Sequence, residues 1–227
     1  MIKLIKDYVD DILVRATHHS SAIENNTITL NETISILLHH TIPGSVSVRE
    51  FYEIDNHRMA FNFLIENLGQ DFQLSIIHET HSILLDRLHH ERGRFKTQEN
   101  AIVGANFTTA PPSETPAIML QWVDNINYRI GLAKTDGDII QAVCESHIQF
   151  ERIHPYADGN GRTGRLLMIY LLLKNNIHPL IINKEDKYKY ITYLAEQDSK
   201  GFTEYAMEVI KKERERYSSF LNSEPLE

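Results

Sequence analysis

Apolar residues recur at helical spacing along nearly the whole chain, and that repetition restricts the fold more than any other feature. From Ile2 to about Val14, the positions Ile2, Leu4, Ile5, Val9, Ile12 and Leu13 make one apolar face. The same pattern predicts helices over 31–39, 49–68, 73–88, 115–133, 137–153, 161–176, 185–197 and 202–217. One stretch breaks it, Gly93 to Pro116, GRFKTQENAIVGANFTTAPPSETP. Phe95, Thr97, Ile102, Val103, Phe107 and Thr108 are strand formers there, with Glu99-Asn100 as the candidate turn. Pro111, Pro112 and Pro116 end it and introduce the next helix. The expectation is an all-α (mainly α) helical bundle carrying a small β-hairpin flap over 93–110.

With 227 residues, 42% of them hydrophobic, the chain can bury one large core, and it shows no repeat or linker. A single compact unit follows, with an N-terminal helical region over 1–45, a core over 46–220 and a polar tail over 221–227. The net charge of −8 argues against a duplex nucleic-acid surface, and no helix offers a basic recognition face. Cys144 is the only cysteine, which excludes an internal disulfide and a cysteine-based zinc site; it reads as a small buried residue. The N-terminus lacks a signal-peptide pattern, and no apolar run approaches the roughly 20 residues that span a bilayer. A cytoplasmic protein with no membrane partner is expected.

The chemistry concentrates in His154 to Arg165, HPYADGNGRTGR, between two apolar helical runs. Gly159-Asn160-Gly161 can turn through conformations closed to bulky residues and converge backbone N–H groups on one point. That point opens the next helix, where dipole and free amides favour an anion. Arg162 and Arg165 lie three positions apart on one helical face and can grip a polyphosphate. Asp158 offers a hard oxygen to Mg²⁺. His154 can accept a proton near neutral pH. A hairpin turn would need alternating strands on its flanks, an EF-hand its later ligands, and a phosphate-binding P-loop a Gly-Lys-Ser/Thr; none is present.

This segment resembles the signature of the Fic family, H-x-F-x-[DE]-G-N-G-R-x-x-R, with Tyr156 in place of the phenylalanine. The added hydroxyl needs a partner. The resemblance implies a Fic fold and a catalytic core that moves AMP from Mg-ATP to a Ser, Thr or Tyr hydroxyl of a target protein. His154 would deprotonate that hydroxyl and Asp158 would hold Mg²⁺. The amides of Gly159 to Gly161, with Asn160, would form an anion hole. The signature segment, including Thr163 and Gly164, would cradle the phosphates, and Arg162 and Arg165 would bind the β- and γ-phosphates. The flap, especially Ala101, Ile102, Val103 and Gly104, would border the nucleotide and pair with the target by strand addition. Tyr190, Ile191, Leu194 and Asp198 would bound adenine and ribose; ordinary core packing is their alternative.

Upstream, Ser20 and Glu24 stand four apart in Ser20-Ser21-Ala22-Ile23-Glu24-Asn25. Ser21 to Glu24 also fits S-x-x-E, a capping box at a helix start. Beside the downstream loop, the segment resembles the Fic inhibitory motif, [ST]-x-x-x-E-[GN]. In that reading Glu24 pairs with Arg165 and takes the fork the γ-phosphate needs. Beside Mg²⁺ the same carboxylate could instead orient a water and remove AMP. Transfer of another nucleotide, self-modification and homo-oligomerisation also stay open, as does an ATP-binding, toxin–antitoxin-like module without transfer.

His78-Glu79-Thr80-His81 lacks the spacing of a zinc pair and reads as a polar helix face. The pairs His18-His19, His39-His40 and His89-His90 read as surface residues, and KKERER near the C-terminus as a solvated face.

Overall fold

The computed structural model describes residues 2–101 and 107–221. Among them run nine α-helices: α1 (Lys6–Ile23), α2 (Leu30–Leu37), α3 (Val48–Glu66), α4 (Leu74–Leu84), α5 (Thr115–Leu132), α6 (Asp136–Ile153), α7 (Asn160–Lys174), α8 (Lys187–Glu196) and α9 (Ser199–Leu221). Helices α2, α3 and α6 start with reciprocal capping boxes, Thr29/Glu32, Ser47/Glu50 and Thr135/Asp138. Each satisfies two amides that the first turn leaves free. Pro116 opens α5, where a missing N–H does no harm.

Helix α7 is the hub. From Arg162 to Leu173 every residue is buried. A helix apolar nearly all round must sit inside the bundle. Helices α1, α3, α4 and α6 pack against it, and α5 and α9 pack on α6. Trp122 Nε1 donates to Ser146 O at 2.8 Å and ties α5 to α6. Burying each large aliphatic side chain on α7 stabilises by about 1.5–3 kcal/mol. No helix among the described residues is long and apolar enough to cross a membrane.

Of the boundaries that differ from the sequence reading, two bear on the site, while α9 runs longer at both ends, from Ser199 to Leu221. Helix α1 runs on to Ile23 because its second half buries polar residues, which hide the apolar period: Thr17, His18, Ser20 and Ser21 are all buried. Thr17 Oγ1 meets His57 Nδ1 at 2.9 Å, so the buried hydroxyl is satisfied. His18 is therefore not a surface residue, and Ser21 to Glu24 is not a helix-starting box, since Glu24 caps the C-terminal end. Helix α4 stops at Leu84 because Asn56 Nδ2 takes over the carbonyls of Leu84 (3.2 Å) and Asp86 (2.7 Å), and Arg87 turns left-handed.

The expected β-hairpin has no strand in its described flanks, 93–101 and 107–110, which are turns, bends and irregular chain. The backbone amides of Lys96 and Ala110 donate to Pro155 O and Ile153 O instead of across a ladder, and the two flanks meet through the side chains of Lys96, Asn100 and Thr109. Ile102, Val103 and Gly104 lie outside the described residues.

Candidate active site

Helix α6 ends where His154 adopts a left-handed backbone, φ 50° and ψ 61°. Pro155 disfavours continued helix at that position, and the strained residue costs about 1–3 kcal/mol that its surroundings must offset. The loop closes at Gly159, φ 75°, the N-cap of α7. A Cβ at Gly159 would stand 2.5 Å from Leu85 Cδ2, so both conformation and space require glycine.

The loop is fastened from inside and below. Asn160 Oδ1 accepts from Tyr156 N (2.9 Å) and its Nδ2 donates to Tyr156 O (2.7 Å). Its side chain thus closes the loop instead of lining an anion hole. Thr163 Oγ1 donates to Gly159 O at 2.8 Å, and Asp158 Oδ1 accepts from Gly159 N at 2.6 Å. The Tyr156 ring is fully buried and stacks on His81 at 3.7 Å and 6°. Its hydroxyl meets His78 Nδ1 at 3.1 Å, which supplies the partner the tyrosine needs. Gly93 N donates to His81 Nδ1 (2.8 Å), which leaves His81 Nε2 to carry the proton and donate to Asp158 O (2.9 Å). His78 and His81 are therefore the floor of the loop, not a polar face. Among the described residues no group of three or more His, Cys, Asp or Glu could hold a metal.

His154 Nδ1 lies 3.3 Å from the Glu151 carbonyl. A proton on Nδ1 makes that hydrogen bond and leaves Nε2 as the bare, basic nitrogen. Burial above all pushes the imidazole down to about 4; the Glu151 carbonyl, Glu24 and Asp158 oppose that shift, and Lys96 adds to it. Glu151 is itself buried, and burial pushes its carboxyl up to about 8, against Arg165 and with Glu24. A Cβ on Gly164 would stand 2.8 Å from Glu151 Oε1 and 2.8 Å from His147 Cε1, so this glycine lets α7 close on α6.

Arg165 is buried in α7 and held from α1. Its Nε donates to Ser20 Oγ (2.9 Å), and one terminal nitrogen donates to Ser20 O (3.1 Å) and to Glu24 Oε1 (2.6 Å). Burial alone would raise the Glu24 carboxyl; the charge and hydrogen bond of Arg165, with Arg162, outweigh it and hold Glu24 below the usual carboxylate range. A Cβ on Gly161 would fall on Glu24 Oε1, so the carboxylate rests against the first turn of α7. A negative oxygen therefore already sits where the helix N-terminus and a guanidinium converge. Arg162 is buried, its Nε has no hydrogen-bond partner, and its terminal nitrogen lies 3.8 Å from Asp158 Oδ1. That orphaned donor and the half-exposed Asp158 carboxylate fit an anion with its Mg²⁺, a metal that typically uses one or two carboxylates plus phosphates and water.

The remaining candidates divide. Tyr190 is buried, with its hydroxyl 2.7 Å from His147 Nε2 and its ring 5.9 Å from the Arg165 guanidinium carbon. It backs the arginine as core. Ile191 is exposed, Leu194 and Asp198 are half-buried, and Asp198 Oδ1 accepts from Gly201 N at 2.9 Å, capping α9. Ala101 is exposed. Sequence reasoning missed His78, His81, Lys96, Asn100, Thr109 and Glu151. Only Glu151, one helical turn before His154, carried a local signal.

A left-handed histidine thus feeds a glycine-capped core helix whose second arginine is already paired with a carboxylate from another helix. The model of the Fic/DOC family matches residues 71–172, and the chain carries a Fic/DOC domain. Similar curated proteins are the protein adenylyltransferases Fic of Drosophila willistoni, 29% identical over 206 residues, and Drosophila melanogaster, 29% identical over 209 residues. Each alignment covers 88% of this chain, but the chain spans only about two fifths of the length of these relatives (40% and 41%). Among solved structures, a Fic-domain signalling protein of Bacteroides thetaiotaomicron shares the fold at TM-score 0.87 and 24% identity, over 98% of this chain and 92% of that one. Fic-1 from C. elegans matches at TM-score 0.81 and 25% identity, over 94% of this chain and 64% of that one.

Proposed function

We propose that this protein is an adenylyltransferase that moves AMP from ATP to a hydroxyl side chain of a target protein, restrained by its own Glu24. The observation that carries the reading is the Glu24 carboxylate, 2.6 Å from the Arg165 guanidinium and against the first turn of α7. The names of the Drosophila relatives support the reaction class.

The residues divide the work. His154 Nε2 takes the proton of a target Ser, Thr or Tyr hydroxyl as that oxygen bonds to the α-phosphorus and pyrophosphate leaves. Neutral imidazole is the competent form, and burial keeps it so at pH 7. The N–H groups of the first turn of α7 and Arg162 bind phosphate oxygens. Mg²⁺, held by Asp158, supplies neutralisation of phosphate charge when bound. While Glu24 stays on Arg165, the guanidinium cannot bind the terminal phosphate, and the triphosphate misses its in-line pose.

Incubation with α-labelled ATP, Mg²⁺ and lysate tests the chemistry. Glu24→Gly labels proteins with the mass of AMP, and Glu24→Gly/His154→Ala does not. Equal labelling by the folded double variant contradicts the role of His154.

A further inference from the structure

Four consecutive carbonyls carry the chain out of α6, through His154 and into the loop: those of Ile153, His154, Pro155 and Tyr156. Each accepts a hydrogen bond from one short segment ahead of the flap tip. Lys96 Nζ donates to Ile153 O (3.2 Å) and the Lys96 backbone N–H to Pro155 O (2.9 Å). Asn100 Nδ2 donates to His154 O (3.3 Å) and Tyr156 O (2.9 Å). Thr109, from the far side of the flap, locks the pair: its Oγ1 lies 2.7 Å from Asn100 Oδ1 and accepts from Lys96 Nζ at 3.1 Å.

Lys96 is an unusual choice for such a clasp. It is only 3% exposed, and its three N–H groups meet three neutral oxygens, Asn100 Oδ1 (2.8 Å), Thr109 Oγ1 and Ile153 O. Burying a cation among neutral acceptors is costly, and a neutral donor would close the same carbonyl. What the cation adds is a positive charge beside the peptide of His154.

We infer that Lys96 and Asn100 are positioning residues for His154: their donors hold the left-handed peptide that aims the imidazole, and the Lys96 ammonium, on the carbonyl of the peptide that enters His154, sets its charge against the protonated ring that burial already disfavours. The Glu151 carbonyl at the end of α6, Glu24 from the end of α1 and Asp158 from the loop all favour the imidazolium. Lys96 is the charge that opposes them. Burial lowers Lys96 itself to about 8, with Glu99 acting against that shift, so at pH 7 it remains largely charged.

The inference rests on His154 as the general base, and its test separates the two. In the Glu24→Gly background, the His154 ring is titrated by NMR, assigned by its loss in His154→Ala. Transfer kinetics are followed against pH in parallel. Lys96→Met raises the midpoint of the His154 titration and moves the acid limb of kcat to higher pH, and Lys96→Arg restores both. Asn100→Ala keeps the charge, leaves the midpoint in place and lowers kcat ~10- to 100-fold with KM for ATP unchanged, as expected when a reacting group is misplaced by about 1 Å. Lys96→Gln replaces Lys96→Met if the latter does not fold. An unmoved midpoint in the folded Lys96 variant, or parental kcat in Asn100→Ala, overturns the inference. A Glu24→Gly parent that transfers no AMP overturns the transferase reading instead, while the titration still judges Lys96.

Discussion

Two glycines in the first two turns of α7, Gly161 and Gly164, face different neighbours. Gly164 touches α6, where a Cβ would meet Glu151 and His147 at 2.8 Å, both on a buried helix with no room to retreat. Gly164→Ala should destabilise the fold by about 1–3 kcal/mol, read as a lowered urea midpoint at unchanged slope. Gly161 touches the half-exposed Glu24 carboxylate. Single residues of this kind were legible in the sequence because their chemistry is local: a turn that needs glycine, arginines one turn apart, a histidine before proline. His81, Lys96 and Asn100 were not, since each acts through one side chain on a backbone carbonyl far along the sequence, and no spacing rule encodes such a contact. His78-Glu79-Thr80-His81 looked solvated for the same reason; the ring that stacks on His81 belongs to Tyr156.

At the scale of elements, α1 is the one whose placement decides the site, because it carries both Ser20 and Glu24 to Arg165. Its last turn packs by polar contacts, and a clasp with α9 near its start fixes its axis. Arg15 bridges Asp11 (2.6 Å) and Glu213 (2.7 Å), Arg216 also pairs with Asp11, and Tyr217 Oη bonds the Lys3 backbone (3.0 and 3.1 Å). Glu213 is only 5% exposed at its side chain, so Arg15→Met strands a buried carboxylate. A loss of about 3 kcal/mol is expected, largely recovered in Arg15→Met/Glu213→Leu; equal stability of the single variant and wild type in urea would count against the clasp. The helical period told where most helices lie. It failed at the second half of α1, where hydroxyls and a histidine take the buried face, and in the flap, whose Lys96 and Ala110 amides bond to the loop while its flanks meet through side chains.

For the whole molecule, buried imidazoles set the acid limb of stability. Burial first of all lowers His57 to about 3, His81 to about 4, His147 to about 3 and His154 to about 4. Between pH 6.5 and about 4 the unfolded chain therefore binds protons that the folded chain refuses, and stability falls as pH falls, by up to ~1.4 kcal/mol per pH unit for each group. Glu151, raised to about 8, has the opposite sign: its folded form holds a proton that the unfolded chain releases above about 4.5, so it costs stability as pH rises to 8. The urea midpoint should drop steeply below pH 6.5 and decline gently from 6.5 to 8, and Glu151→Gln should flatten the upper decline. A midpoint constant from pH 6.5 to 4.5 would contradict this balance.

The proposed restraint is one ion pair between the end of α1 and the second arginine of α7, 141 residues apart. The most direct measurement is the initial rate of AMP transfer from ATP by wild type and Glu24→Gly at equal concentration, with folding checked by thermal melts. A half-exposed charged hydrogen bond near the low end of its range, about 1.5 kcal/mol, predicts a rise of at least ~10-fold on its removal. Equal rates from two folded proteins would mean that the Glu24 carboxylate on Arg165 does not restrain the site.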